Sequence, residues 1–130
     1  DYNRLIASVS GTMRLTHGAN GSEKLVLPRS TVYAFDGGIQ THCVGKARDL
    51  NLMLRKGAVE GELVFVDSGT ELNLEPAANE TMLLFELESG NAALCAGGNA
   101  RLRCTANGQC ALFTVRLVGE AIPDSDNRNG

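Results

Sequence analysis

The amino-acid sequence predicts an all-β protein, built as an antiparallel β-sandwich or barrel. Runs of roughly four to eight apolar-rich residues recur about every ten residues, separated by Gly, Asn, Asp or Pro, as in short strands joined by turns. The 15 glycines suit tight hairpins better than helices. Hydrophobic residues make up 43% of the 130 residues, which is enough for one well-packed domain or for two small lobes that share a core.

A series of short strands is expected along the chain. The one segment that competes as a helix runs from Lys46 to Arg55, and its leucines at 50, 52 and 54 follow the period of two that is typical of a strand. The expected strands are Arg4–Val9, Thr12–Thr16, Lys24–Leu27, Thr31–Phe35, Ile39–Cys43, Asp49–Leu54, Gly61–Val66, Thr70–Leu74, Thr81–Leu87, Ala92–Cys95, Ala100–Cys104 and Cys110–Leu117.

An internal echo indicates a duplicated β lobe. The stretch from Leu5 to Leu15 resembles the one from Leu83 to Leu94, and Leu25–Thr31 resembles Leu102–Gly108, at a separation of about 78 residues in each case. The proline turn between Leu25 and Ser30 is the pattern of a cupin half-barrel, although any antiparallel jelly roll can share it. We therefore expect a first lobe at 1–56 that lacks its N-terminal portion, a second lobe at 57–120 and a flexible tail at 121–130.

Composition argues against several classes of partner. The 12 basic residues are scattered and the net charge is −3, so a nucleic-acid surface is not expected. No apolar stretch is long enough for a membrane span. The cysteines form no C-x-x-C pair, and free buried thiols are expected, while a disulfide between Cys104 and Cys110 stays open as an alternative. They are Cys43, Cys95, Cys104 and Cys110.

One segment resembles the HutD/Ves family. Phe35-Asp36-Gly37, followed by Arg48-Asp-Leu-Asn-Leu-Met-Leu-Arg55, is similar to the family's Phe-x-Gly turn and its Arg-Asp-Leu-Asn-(Leu/Val)-Met-x-Arg strand. The resemblance covers the chain up to about Gly119. It implies a cytoplasmic bicupin with a small-molecule or regulatory role in histidine utilisation or stress response. It also implies roughly sixty preceding residues with a Trp-containing motif, and this chain has no Trp.

The strand Asp49–Leu54 and its neighbours form the candidate ligand site. Because side chains alternate along a strand, the leucines bury one face, while Asp49, Asn51, Met53 and Arg55 line the other. An arginine can clamp a small anion through two hydrogen bonds, and an asparagine offers both a donor and an acceptor. The alternative is that Asp49 and Arg55 are exposed or pair with neighbouring strands. The predicted pocket consists of Arg4, Phe35, Asp49, Asn51 and Arg55.

Neither a metal nor another cofactor is expected. His17 is predicted in a hairpin turn and His42 in a strand, and neither belongs to the His-x-His cluster of metal-binding cupins, so each is expected to be structural or exposed. Cys43 is expected to be an inert buried thiol. Glu60 and Glu62 are expected to face water.

Three functions compete. The leading one is a regulatory protein that binds a carboxylate metabolite such as urocanate or formylated glutamate, as the resemblance suggests. The second is a metal-independent isomerase or hydrolase that uses Asp49. The third is a structural protein without a ligand, in which sheet faces form a homodimer.

Overall fold

The structure is a computed structural model that describes residues 1–19, 21, 23–98 and 100–119. Those residues form antiparallel β-strands and contain no α-helix, so the all-β prediction is confirmed. In the same part of the chain, no helix could cross a membrane. The strands are β1 Tyr2–Ser10, β2 Met13–His17, β3 Glu23–Leu27, β4 Val32–Asp36, β5 Thr41–Val44, β6 Arg48–Arg55, β7 Val59–Val66, β8 Glu71–Leu74, β9 Glu80–Glu86, β10 Ala92–Ala96, β11 Leu102–Thr105 and β12 Cys110–Leu117.

The strands fall into two compact units, Asp1–Arg55 and Lys56–Gly130. The first unit holds two sheets, with strand orders β4-β1-β6 and β3-β2-β5. In β2, Met13 and Leu15 are buried whereas Arg14 between them is exposed, which is the alternation of a sheet with one covered face. Both sheets contribute to the core of this unit, which consists of Ile6, Met13, Leu15, Leu27 and Phe35.

The second unit pairs its strands in the orders β10-β9-β12-β7 and β11-β8. Strand β12 is central, since it pairs with β7 on one side and with β9 on the other. The buried residues of its core are Leu74, Leu84, Ala106 and Cys110.

Every expected strand is present, and most ends shift by one or two residues. Two local predictions are wrong. His17 is not in a turn but is the last residue of β2 and is buried, because the inward alternation of Met13 and Leu15 continues to it. Cys43 is not buried but exposed on the edge strand β5. The predicted tail at 121–130 lies outside the described residues.

The four cysteines are free thiols, so Cys104 and Cys110 do not form a disulfide in this structure. Cys95 and Cys110 are buried, as expected. Burial, followed by the nearby carboxylate of Glu86 and the thiol of Cys104, raises the pKa of the Cys110 thiol. Because the thiolate is the reactive form, Cys110 is poorly suited to nucleophilic chemistry.

Arg116 on β12 lies among three carboxylates in the second unit. Its nitrogens are 3.0 Å from Glu80, 3.4 Å from Glu60 and 3.8 Å from Glu62. Glu60 and Glu62 are exposed, as the sequence predicts, but they also form ion pairs that the sequence analysis did not foresee. The backbone N–H of Ala77 and then the Arg116 guanidinium lower the pKa of Glu80 below its ordinary value of 4.5.

This lowered pKa predicts acid sensitivity. The unfolded chain takes up a proton on Glu80 at a higher pH than the folded chain, so the stability that Glu80 contributes above pH 4.5 is lost as the pH falls through the folded pKa. We expect Glu80→Gln to flatten the fall in unfolding free energy, measured with urea between about pH 6 and pH 3. Glu88→Gln, at an exposed carboxylate, is the matched control, and an equal flattening there would contradict the prediction.

Candidate ligand-binding site

The candidate residues share one face of the sheet β4-β1-β6. Directly opposed residues on antiparallel strands project to the same face. Arg4 on β1 is opposite Phe35 on β4 and Met53 on β6. Tyr2, Ile6 and Ser8 then oppose Arg55, Asn51 and Asp49 of β6, in that order. This surface, called the Arg4 face below, carries the five predicted residues Arg4, Phe35, Asp49, Asn51 and Arg55.

Arg4 is held in place by two of the predicted partners. Its Nε donates to Asn51 Oδ1 at 3.3 Å, and its Cζ lies 5.1 Å from the centre of the Phe35 ring. The second distance is that of a cation–π contact, in which the ring's negative face attracts the guanidinium. The two terminal nitrogens of Arg4 have no hydrogen-bond partner among the described residues. Arg4 therefore presents a fixed, planar pair of N–H donors.

The turn after β4 explains the glycine of the Phe-x-Gly motif. The N–H of Gly37 donates to the carbonyl of Tyr2 at 2.7 Å. A side chain at Gly37 would place its Cβ 2.6 Å from that carbonyl oxygen and 3.2 Å from Cγ of Arg4. Because backbone atoms cannot yield to such an overlap, only glycine lets the turn lie against the stem of Arg4. The motif thus helps to fix the arginine.

Two residues that the sequence analysis did not assign to the site extend it. Tyr33 on β4 stacks on Phe35 with ring centres 5.4 Å apart, and the His17 ring lies 5.1 Å from Phe35. His17 Nε2 is 2.7 Å from the Tyr33 hydroxyl, and His17 Nδ1 is 2.8 Å from Thr41 Oγ1. The rings of Phe35, Tyr33 and His17 therefore form a cluster, and Arg4 packs on its Phe35 ring.

The hydrogen-bond partners in this cluster favour one neutral tautomer of His17. Thr41 Oγ1 donates its only hydrogen to the carbonyl of Ile39 at 3.0 Å, so it accepts from His17 Nδ1. His17 Nε2 must then accept from the Tyr33 hydroxyl when the imidazole is neutral. These hydrogen bonds run in series from Tyr33 through His17 and Thr41 to Ile39. They satisfy both ring nitrogens of the buried histidine.

Period-two alternation could have found both missed residues. Tyr33 lies two positions before Phe35, a predicted site residue, and His17 lies two positions after Leu15, an apolar residue of the expected strand Thr12–Thr16, so each shares a face with that residue. The end of β2 was placed at Thr16, and the glycine after His17 suggested a turn that began one residue too early.

Asp49 and Arg55 lie on the Arg4 face but make no contact with its centre. Asp49 is opposite Ser8, and Arg55 is opposite Tyr2 at the far end of β6. Both are exposed, and neither has a hydrogen-bond or ion-pair partner among the described residues. The structure thus brings together Arg4, Asn51 and Phe35 and leaves the two charged residues at the ends. In the described part of the chain, no cluster of three or more His, Cys, Asp or Glu residues could hold a metal ion.

Comparison with protein families decides where the chain belongs. The HutD family model matches residues 1–117, nearly the whole chain. The chain belongs to the HutD family. The Phe-x-Gly turn and the Asp-Leu-Asn-Leu-Met string that carry the resemblance are the two segments that hold Arg4 on its face. Among curated proteins, no match was found.

Solved structures show the same fold. HutD from Pseudomonas fluorescens SBW25, in a formate condition, is 23% identical with a TM-score of 0.69, over 91% of this chain and 70% of that chain. A conserved protein of unknown function from Pseudomonas aeruginosa PAO1 is 26% identical with a TM-score of 0.66, over 92% of this chain and 74% of that chain. This HutD-family chain accordingly has an all-β, cupin-type fold.

Proposed function

We propose that this HutD-family protein binds a small carboxylate metabolite on the Arg4 face, without a metal, and has a regulatory role linked to histidine utilisation or stress response in the cytoplasm. The main support for this proposal is that the two terminal nitrogens of Arg4 have no hydrogen-bond partner among the described residues. Asn51 and Phe35 already hold the Arg4 side chain in place. A carboxylate matches the planar fork of a guanidinium through two parallel hydrogen bonds.

Preorganisation is the physical reason to expect useful affinity. A free arginine side chain loses about 2 kcal/mol of rotamer entropy when it is ordered, so an arginine that is already held loses less on binding. Of the aromatic cluster beside it, Phe35 and His17 are buried and Tyr33 is half-buried, so the Tyr33 ring is the flat surface left for the rest of the ligand. A carboxylate joined to a planar or short unsaturated group therefore suits the Arg4 face better than a bulky aliphatic acid. Asn51 keeps its amide N–H donors for a second polar group of the ligand.

The test is a thermal-shift and calorimetric titration with urocanate and with N-formylglutamate. A ligand present at about one hundred times its Kd should stabilise the folded chain by about 2.7 kcal/mol, which raises the melting temperature measurably. The amide of urocanic acid and the dimethyl ester of N-formylglutamate are the neutral controls, and we expect neither to bind. A shift that is the same with acids and neutral analogues would reject the carboxylate site.

The two alternatives have less support. A hydrolase or isomerase would need Asp49 close to a reacting group, and Asp49 is exposed at the end of the face without a hydrogen-bond partner among the described residues. A purely structural homodimer would make the oligomeric state depend on protein concentration, and sedimentation of the purified chain measures this directly.

A further inference from the structure

The second unit has a small pocket, called the Glu86 pocket below, that is lined by β9, β10, the end of β11 and the start of β12. Its volume is about 210 Å³, and most of its wall is apolar. At the roughly 30 Å³ that a water occupies in the liquid, this space suits a molecule of about seven non-hydrogen atoms. The wall includes Leu84, Glu86, Ala93, Cys104, Ala106 and Cys110.

Glu86 places a carboxylate on the core-facing side of its sheet. It is directly opposite the buried Cys110 and lies two residues after the buried Leu84, so the three side chains project to one face. Glutamate is rarely buried without a partner. Glu86 is half-buried, yet no cation among the described residues forms an ion pair with it, unlike the three carboxylates around Arg116. It is also the only acidic or basic side chain among the described residues that line the pocket.

The carboxylate of Glu86 is held by the turn after β9. Ser89 Oγ donates a hydrogen bond to Glu86 Oε1, and the backbone N–H of Asn91 donates to Ser89 Oγ at 3.1 Å. Glu86 Oε2 accepts no hydrogen bond from the described residues. It lies close to Gly108, where an added Cβ would be 2.9 Å from Oε2. One carboxylate oxygen is therefore positioned by the protein, and the other remains available as an acceptor.

We propose that the Glu86 pocket binds a short primary amine, whose ammonium group donates to Glu86 Oε2 and whose apolar body lies beside Leu84, Ala93 and Ala106. The ammonium group supplies the positive charge that the pocket wall lacks, and a hydrogen bond between two charged groups is stronger than one between neutral groups. An anionic ligand would be repelled by the same carboxylate. This inference concerns the second unit and does not depend on the carboxylate ligand proposed for the Arg4 face.

Cyclohexylamine and cyclohexanol test the proposal as a matched pair, because each has seven non-hydrogen atoms and only the amine is charged at pH 7. We expect isothermal titration to show that the amine binds about tenfold or more tightly than the alcohol. Glu86→Gln keeps the size of the side chain and removes its charge, so it should weaken amine binding by about tenfold and leave alcohol binding unchanged. Glu88→Gln removes the same charge from an exposed position two residues later and is the control, with amine binding as in the parent chain.

The reactivity of the cysteines locates the bound amine. Cys104 lines the pocket and is half-buried, whereas Cys43 in the first unit is exposed. Saturating cyclohexylamine should slow the reaction of Cys104 with methyl methanethiosulfonate, followed by mass spectrometry, and leave the rate at Cys43 unchanged. Ala93→Leu keeps Glu86 but fills the pocket, so this variant should lose the binding of both the amine and the alcohol.

Three results would overturn the proposal. The first is that cyclohexylamine binds no more tightly than cyclohexanol. The second is that Glu88→Gln weakens amine binding as much as Glu86→Gln, which would mean that overall charge attracts the amine. The third is that the amine leaves Cys104 unprotected or still binds after Ala93→Leu, which would place it outside the Glu86 pocket.

Discussion

Phe35→Ala is expected to lower the free energy of unfolding of the first unit by about 3 kcal/mol, within the range for truncation of a buried aromatic residue. Phe35 is 9% exposed, belongs to the core and contacts Tyr33, His17 and Arg4. Its loss removes apolar burial, two ring contacts and the cation–π contact together. Urea unfolding monitored by circular dichroism measures the change. A loss below about 1 kcal/mol would contradict the packing described here.

Phe35→Leu separates support of the core from support of the ligand site. Leucine keeps most of the apolar volume, so the expected loss of stability is smaller than that of the alanine variant. It has no ring to hold the guanidinium, however, and we expect carboxylate binding to weaken in both variants. If the leucine variant binds carboxylates as the parent does, the aromatic ring is not part of the ligand site.

Arg4→Ala is expected to weaken carboxylate binding by about ten- to a hundredfold, because a hydrogen bond to a charged group contributes about 1.5–3 kcal/mol. Arg4→Lys should recover only part of this loss, since an ammonium group keeps the charge but not the planar fork. Isothermal titration with urocanate or N-formylglutamate measures both variants.

Lys24→Ala is the matched control for Arg4. Lys24 is an exposed cation on β3 with no hydrogen-bond or ion-pair partner among the described residues, so its removal changes the net charge by the same amount. We expect the Lys24→Ala variant to bind the ligand with the same affinity as the parent chain. An equal loss in the Lys24 and Arg4 variants would mean that long-range charge, and not the Arg4 face, attracts the ligand.

Local pattern was sufficient to predict the strands and which residues of β6 share a face. The alternation of leucines in β6 placed Asn51 on the face opposite them, and in the structure Asn51 accepts a hydrogen bond from Arg4. Leu54 is buried and Leu50 and Leu52 are half-buried, as the period of two requires. This alternation is a local property of one strand, so it can be predicted without knowing which strands pair.

Strand partners decide the rest, and they are not local. Cysteine is a residue type that is usually buried in a strand. Among the described strands, however, β5 has a neighbour on one side only, and the Cys43 thiol is exposed. The ion pairs of Arg116 join β12 to β7 and β9. Their partners are far apart in the sequence, and no sequence motif indicates the pairing. Asp49, Asn51 and Arg55 hold equivalent alternating positions in the sequence, yet of these three only Asn51 has a hydrogen bond to Arg4 among the described residues.

The aromatic cluster also limits which groups can contact the histidine ring. Both ring nitrogens of His17 already have protein partners, Thr41 at Nδ1 and Tyr33 at Nε2. A ligand could bond to the ring directly only by displacing one of them, which would leave a partly buried hydroxyl unsatisfied. His17 on β2 therefore acts as a crosslink to β4 and β5 within the first unit.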